Sequence, residues 1–140
     1  MVSRASWKKV PRDQWKGRLD HARAFLRAAQ DLLALADDSR SSNPVIVQAI
    51  DAAIAYGDAV AIRFGGIQNT ADHNNLGRTL KHAVGARFTG SQEQRLGQIL
   101  SEKDEAAYGH HAATEAEARA VVKLAERFAL WAEAELARPG

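Results

Sequence analysis

The chain has 140 residues, no cysteine, and 19 lysines and arginines against 17 aspartates and glutamates, a net charge of +2. That length suits one domain with a core of its own. The absence of cysteine excludes disulfides, thiolate metal sites and a cysteine nucleophile.

The opening run, Met1 to Lys9, is basic but has no apolar stretch behind it, so it does not read as a signal peptide. Residues 1–10 are expected to form a basic segment ahead of a single helical domain at 11–138. Pro11 suits a first helical position, where its missing N–H costs nothing. Trp15, Leu19, Ala22, Leu26, Ala29 and Leu33 follow at three- and four-residue spacing, which predicts a helix over 11–37. Asp37 to Ser42 is a polar break.

Asn43 and Pro44 read as N-cap and first residue of a second helix. Ile46, Ala49, Ile50, Ala53, Ile54, Val60, Ala61 and Phe64 continue it, and Gly65-Gly66 stops it. Ile67 to Asn75 reads as loop. A short helix with Leu76, Leu80 and Val84 inward comes next, then a break at Gly85–Gly90. Ser91 and Gln94 have capping-box spacing for a fourth helix, expected to reach about Asp104. Tyr108-Gly109-His110-His111 reads as a connector. Thr114 and Glu117 form a threonine–glutamate capping box. Behind it Ala118, Val121, Val122, Ala125, Phe128, Ala129, Ala132 and Leu136 make one stripe, ended by Pro139-Gly140.

No segment alternates as a strand does. The expected fold is therefore all-α: an antiparallel bundle of four main helices plus a short extra helix. No apolar run approaches the roughly 18 residues that span a bilayer. The expectation is a soluble, cytoplasmic protein with no membrane contact.

Charge is unevenly spread. Residues 1–27 carry eight basic side chains against Asp13 and Asp20, while residues 98–140 carry five against eight acidic ones. A basic N-terminal part could meet phosphate. The favoured reading is a solvated face paired with the acidic segments, because charge runs are usually surface. The chain has no P-loop, no Gly-x-Gly-x-x-Gly, no His-Glu-x-x-His and no Glu-x-x-His pair. His21 reads as surface, His82 sits beside Lys81 on a basic helix, and His73 follows Asp72 in a cap-like Asp-His-Asn-Asn run. Adjacent histidines point apart on most backbones, so His110-His111 is not expected to hold a metal. No metal or cofactor is expected.

The run Ile99 to Gly109 is a helix ending in the charged cluster Glu102-Lys103-Asp104-Glu105, followed by Tyr108. After it comes a threonine-capped helix containing Ala125-Glu126-Arg127-Phe128. This order resembles the last two helices of HEPN domains. The small-residue second helix with Tyr56-Gly57-Asp58, and His73-Asn74-Asn75-Leu76 at the head of the next element, agree with it. The resemblance covers roughly residues 12–137, and the order of elements carries more of it than any identity.

Membership would imply a HEPN-like bundle acting in one of two ways. Many HEPN domains are metal-independent ribonucleases with an arginine and, after four to six intervening positions, a histidine, working across a dimer. Such chemistry needs an imidazole to move protons at the ribose 2′-OH and a guanidinium to hold the phosphate. Here the arginine position holds Lys103, followed by Asp104, and Ala106 stands where a histidine often sits. His110 falls six intervening residues after Lys103. Lysine keeps the charge but loses the bidentate fork. Other HEPN domains lack the motif and bind nucleotides, a nucleotidyltransferase subunit or one another.

The first expectation is accordingly a non-catalytic binding or assembly domain, homodimeric, associated with RNA or a nucleotide. The resemblance links it to a toxin–antitoxin or nucleotidyltransferase system, with a nucleotidyltransferase or an antitoxin as partner. Its candidate groove comprises Lys103, Asp104, Tyr108, His110 and His73. The alternatives are a ribonuclease with a degenerate motif, using Lys103 with His110 or His73, and a bundle serving only protein–protein contact.

Overall fold

The computed structural model describes residues 6–109 and 111–140, the side chains of residues 107 and 108 excepted. Its helices are α1 (Trp15–Ala34), α2 (Asn43–Gly65), α3 (Leu76–Val84), α4 (Gly90–Ser101), α5 (Lys103–Tyr108) and α6 (Glu115–Leu136). Two three-residue strands, β1 (Trp7–Lys9) and β2 (Ile67–Asn69), complete it. The protein is mostly helical, as periodicity predicted.

Helix α2 is the centre. From Ala52 to Ile62 every residue is buried, and α1, α3, α4, α5 and α6 all pack on it. A helix covered on all sides reads apolar all round rather than as one stripe. This corrects the expectation that no segment is apolar enough to span a membrane. Asn43–Gly65 qualifies by length and composition, with a mean hydropathy of 1.6, but 83% of the qualifying window is buried inside the fold.

Helices α1 and α4 run opposite to α2 and α6. Arg18 of α1 reaches Asp58 of α2, and Arg12 reaches Phe64. Tyr56 of α2 meets Glu133 of α6, and Arg87, just before α4, accepts from Trp131 of α6 through its carbonyl. All eight expected core positions of α6 are buried. The Thr114–Glu117 capping box forms with both reciprocal bonds, at 3.1 Å each. A good N-cap contributes about 1 kcal/mol. Backbones approach closely where Gly57 faces α3, since a Cβ there would lie 2.7 Å from Leu76 Cδ2.

Several boundaries differ from expectation, each for a local reason. Pro11 is extended and precedes a 3-10 turn at Arg12–Gln14, so α1 starts at Trp15. Ser42, not Asn43, takes the N-cap position of α2, with no capping bond from its side chain. Proline fits any first-turn position, because those N–H groups lack helical partners anyway. Asn43 instead ties three segments: its Nδ2 donates to the Ala106 carbonyl at 3.0 Å, and its Oδ1 accepts from the Ala113 N–H at 2.7 Å. Thr89 rather than Ser91 caps α4, accepting from the Gln92 N–H. The run Thr-Gly-Ser-Gln-Glu-Gln holds two overlapping cap registers, and the earlier one is used. Helix α4 stops at Ser101, and Tyr108, expected in a connector, ends α5.

The expectation of no strand is also corrected. β1 pairs antiparallel with β2, Trp7 opposite Asn69 and Lys9 opposite Ile67. Three residues are too short for alternation to register in sequence. The basic N-terminal segment is thereby fastened to the end of α2.

Asp58 is buried inside α2, 3.0 Å from Arg18 Nη2. Burial pushes its carboxyl up to about 6, although Arg18 opposes the shift. An acid that holds its proton more tightly when folded adds stability below its unfolded pKa and loses it as pH rises through the folded value. Two units correspond to about 3 kcal/mol at most. The unfolding free energy of Asp58→Asn should therefore gain on wild type as pH rises from 4 to about 6.5. Parallel urea-derived curves across that range would show that Asp58 does not titrate there.

Candidate functional site

Two of the five expected groove residues meet. His73 opens a 3-10 turn at His73–Asn75, and Lys103 is the first residue of α5. Lys103 Nζ lies 2.6 Å from His73 Nδ1. The turn is held rigidly. Asp72 Oδ1 accepts from the Asn74 N–H at 3.0 Å, and Asn69 Nδ2 donates to the Asp72 carbonyl at 3.0 Å. Buried Asn75 donates through Nδ2 to Asn69 Oδ1 at 3.0 Å. The cap-like run at Asp72 thus caps, and also aims the imidazole.

Of the other expected residues, Asp104 is exposed. Tyr108 ends α5, but its side chain and the whole of His110 lie outside the described residues. Gly109 is extended and terminates the helix, where a Cβ would collide with the Glu105 carbonyl oxygen. His111, exposed, pairs with Glu117 at 3.0 Å.

A third group joins the pair. Asp51, half-buried on α2, is raised by burial, against which His73 and Lys103 both act electrostatically. Sequence reading missed it. Its signal was available: Asp51 and Asp58 are the only carboxylates of α2, seven residues apart on an otherwise apolar helix.

Lys103 also differs from expectation in its setting. It stands at the junction where α4 has ended and α5 begins, rather than in the last turn of one continuous helix. Burial lowers the His73 pKa below its ordinary value, and the Lys103 charge lowers it further. The ring is therefore neutral at pH 7. With Nδ1 accepting from the Lys103 ammonium, the ring proton sits on Nε2. The pair thus offers donors to an incoming group, which suits a phosphate or carboxylate oxygen. It offers no free imidazole lone pair to take a proton.

The larger clefts lie elsewhere. One, of about 630 Å³, runs between α1 and α6 beside Leu26, Tyr56, Ala129 and Leu130. There Arg23 grips Glu133 with two bonds of 2.7 and 2.8 Å, and Tyr56 donates to the same carboxylate at 3.0 Å. Burial beside that charge pushes the Tyr56 phenol up to about 12. Another cleft, of about 620 Å³, opens between β1 and the end of α2. Among the described residues no cluster of three or more histidine, aspartate or glutamate side chains is arranged to hold a metal ion.

No protein-family model, curated protein or solved structure matches the chain.

The His73–Lys103 contact is testable in solution. The His73 ring should titrate below 6.5 by NMR, and Lys103→Met should move that midpoint upward. An unchanged midpoint in the variant would mean that the two side chains do not meet.

Proposed function

We propose that the chain is a HEPN-like, non-catalytic binding domain that associates with RNA or a nucleotide through the Lys103–His73 centre. The observation that carries this reading is the 2.6 Å contact between Lys103 Nζ and His73 Nδ1. It commits the imidazole lone pair to lysine and leaves the Nε2–H as a donor. Cleavage at a ribose 2′-OH needs a base and an acid, each worth about 100- to 10,000-fold in rate. A neutral ring already bonded at Nδ1 is poorly placed for either role. Asp51 also tempers the positive charge, which favours an oxygen of modest charge over a tightly held dianion.

Incubated with structured and unstructured RNA without divalent metal, the protein should bind without cutting. Lys103→Ala should weaken binding and reduce the salt slope by about 0.7, the share of one neutralised phosphate on a single strand. RNA cleavage that disappears in His73→Ala would overturn this reading and establish a ribonuclease.

The domain is further proposed to pair with a second copy of itself through α1 and α6. Leu130 is 71% exposed on the wall of the α1–α6 groove. That groove carries both signs of charge, Lys123 and Arg127 with Glu126 and Glu133, so one copy can answer another. Light scattering should give a dimer at high micromolar concentration and a monomer for Leu130→Lys. A monomeric wild type would refute the pairing.

A further inference from the structure

A second gathering of positive charge, here with aromatic rings, lies at the far end of α2 from the Lys103–His73 centre. In a strand, residues two apart share a face, and Trp7 and Lys9 both line the 620 Å³ cleft there. The Trp7 ring is stacked on His82 of α3, centroids 4.6 Å apart and planes 29° apart. Arg12 forms the adjoining wall. Its Nη1 donates to the carbonyls of Arg63 and Phe64 at 3.3 and 3.1 Å, which fixes the guanidinium over the C-terminal end of α2.

The floor is bare backbone at Gly65 and Gly66. Gly66 has φ of 62°, a conformation that favours glycine, and a Cβ there would lie 3.4 Å from Arg12 Cγ and Nε. Next to this cleft Arg63 lies over the Trp15 and Phe64 rings at 5.0 Å, and Arg87 over Phe64 at 4.6 Å. Among the described residues no carboxylate forms an ion pair with Lys9, Arg12 or Lys16. Asp13, exposed beside Arg12, is the nearest acid along the chain.

We propose that this ledge binds single-stranded RNA, a base stacking on the Trp7–His82 pair and the flanking phosphates meeting Lys9 and Arg12. Flat rings combined with cations along one cleft suit a strand whose bases are unpaired, since every base offers a face. A duplex hides those faces. The proposal deepens the RNA-associated reading above and rests on it for the choice of polymer. It uses none of the same residues.

The test is fluorescence anisotropy with a labelled single-stranded oligoribonucleotide, a matched duplex, and inorganic polyphosphate and anionic vesicles as competitors. Wild type should prefer the single strand. Exposed His82 and Lys9 can be replaced without touching the core, so His82→Ala and Lys9→Ala are the primary variants. Trp7→Leu and Arg12→Ala are added once circular dichroism shows native helicity. The aromatic variants should weaken oligonucleotide binding about tenfold while leaving polyphosphate binding intact. The basic variants should each lower the salt slope by about 0.7. Exposed Arg119 of α6 serves as control, and Arg119→Ala should change neither.

Ledge variants that bind RNA as wild type does would overturn the proposal. So would aromatic variants without effect, which would mark a general anion patch, and so would vesicles outcompeting RNA. Loss of RNA binding in the ledge variants but not in Lys103→Ala would uphold the ledge and refute the Lys103–His73 centre. The opposite pattern would refute the ledge alone.

Discussion

One helix with no solvent face from Ala52 to Ile62 constrains everything else in this protein. Because α2 is covered by five other helices, its side chains must be small where backbones approach and apolar where they do not. The run Ala52 to Ala61 obeys that rule with five alanines and Gly57. The exception is Asp58, whose burial outweighs the pull of Arg18 on its proton. A buried pair of this kind is weak support for stability, since desolvation offsets much of the attraction. What it does secure is register, because Arg18 can meet Asp58 in only one alignment of α1 on α2.

The same packing sets the chemistry at the surface. The Lys103–His73 contact exists because a 3-10 turn and the start of a six-residue helix are both seated near the first half of α2. Asparagine and aspartate side chains lock the turn, and Asn43 holds α5 through the Ala106 carbonyl. A donor pair mounted on two short elements is well placed to orient an oxygen. Its chemistry is set by a single proton: moving the ring hydrogen from Nε2 to Nδ1 would break the lysine bond and create a base. On the binding reading proposed above, that change of tautomer is what would separate binding from catalysis.

The helical fold was legible in the sequence because long stripes are redundant. In α6, eight apolar positions and a capping box agree, and no single residue decides the outcome. Short features lacked such redundancy. The β1–β2 pair joins segments some sixty residues apart along the chain, and neither has a pattern of its own. The start of α4 was ambiguous because Thr89 and Ser91 both begin acceptable caps. In the candidate site, His73 and Lys103 could each be named from local sequence, but their contact is tertiary. Asp51 had a local signal, a carboxylate in an apolar helix, but its place beside His73 and Lys103 is likewise tertiary. The Trp7–His82 stack likewise depends on a strand that periodicity could not reveal.

Arg63 ties the beginning and the end of the described chain to one place. Its carbonyl accepts from Arg12, and its guanidinium donates to the Arg138 carbonyl at 2.5 Å while lying against Trp15 and Phe64. Arg12 and Arg138, far apart along the chain, are therefore held at one end of α2. A pull applied between those two residues would load the Arg63 clasp first, and the helices behind it only after that clasp had opened.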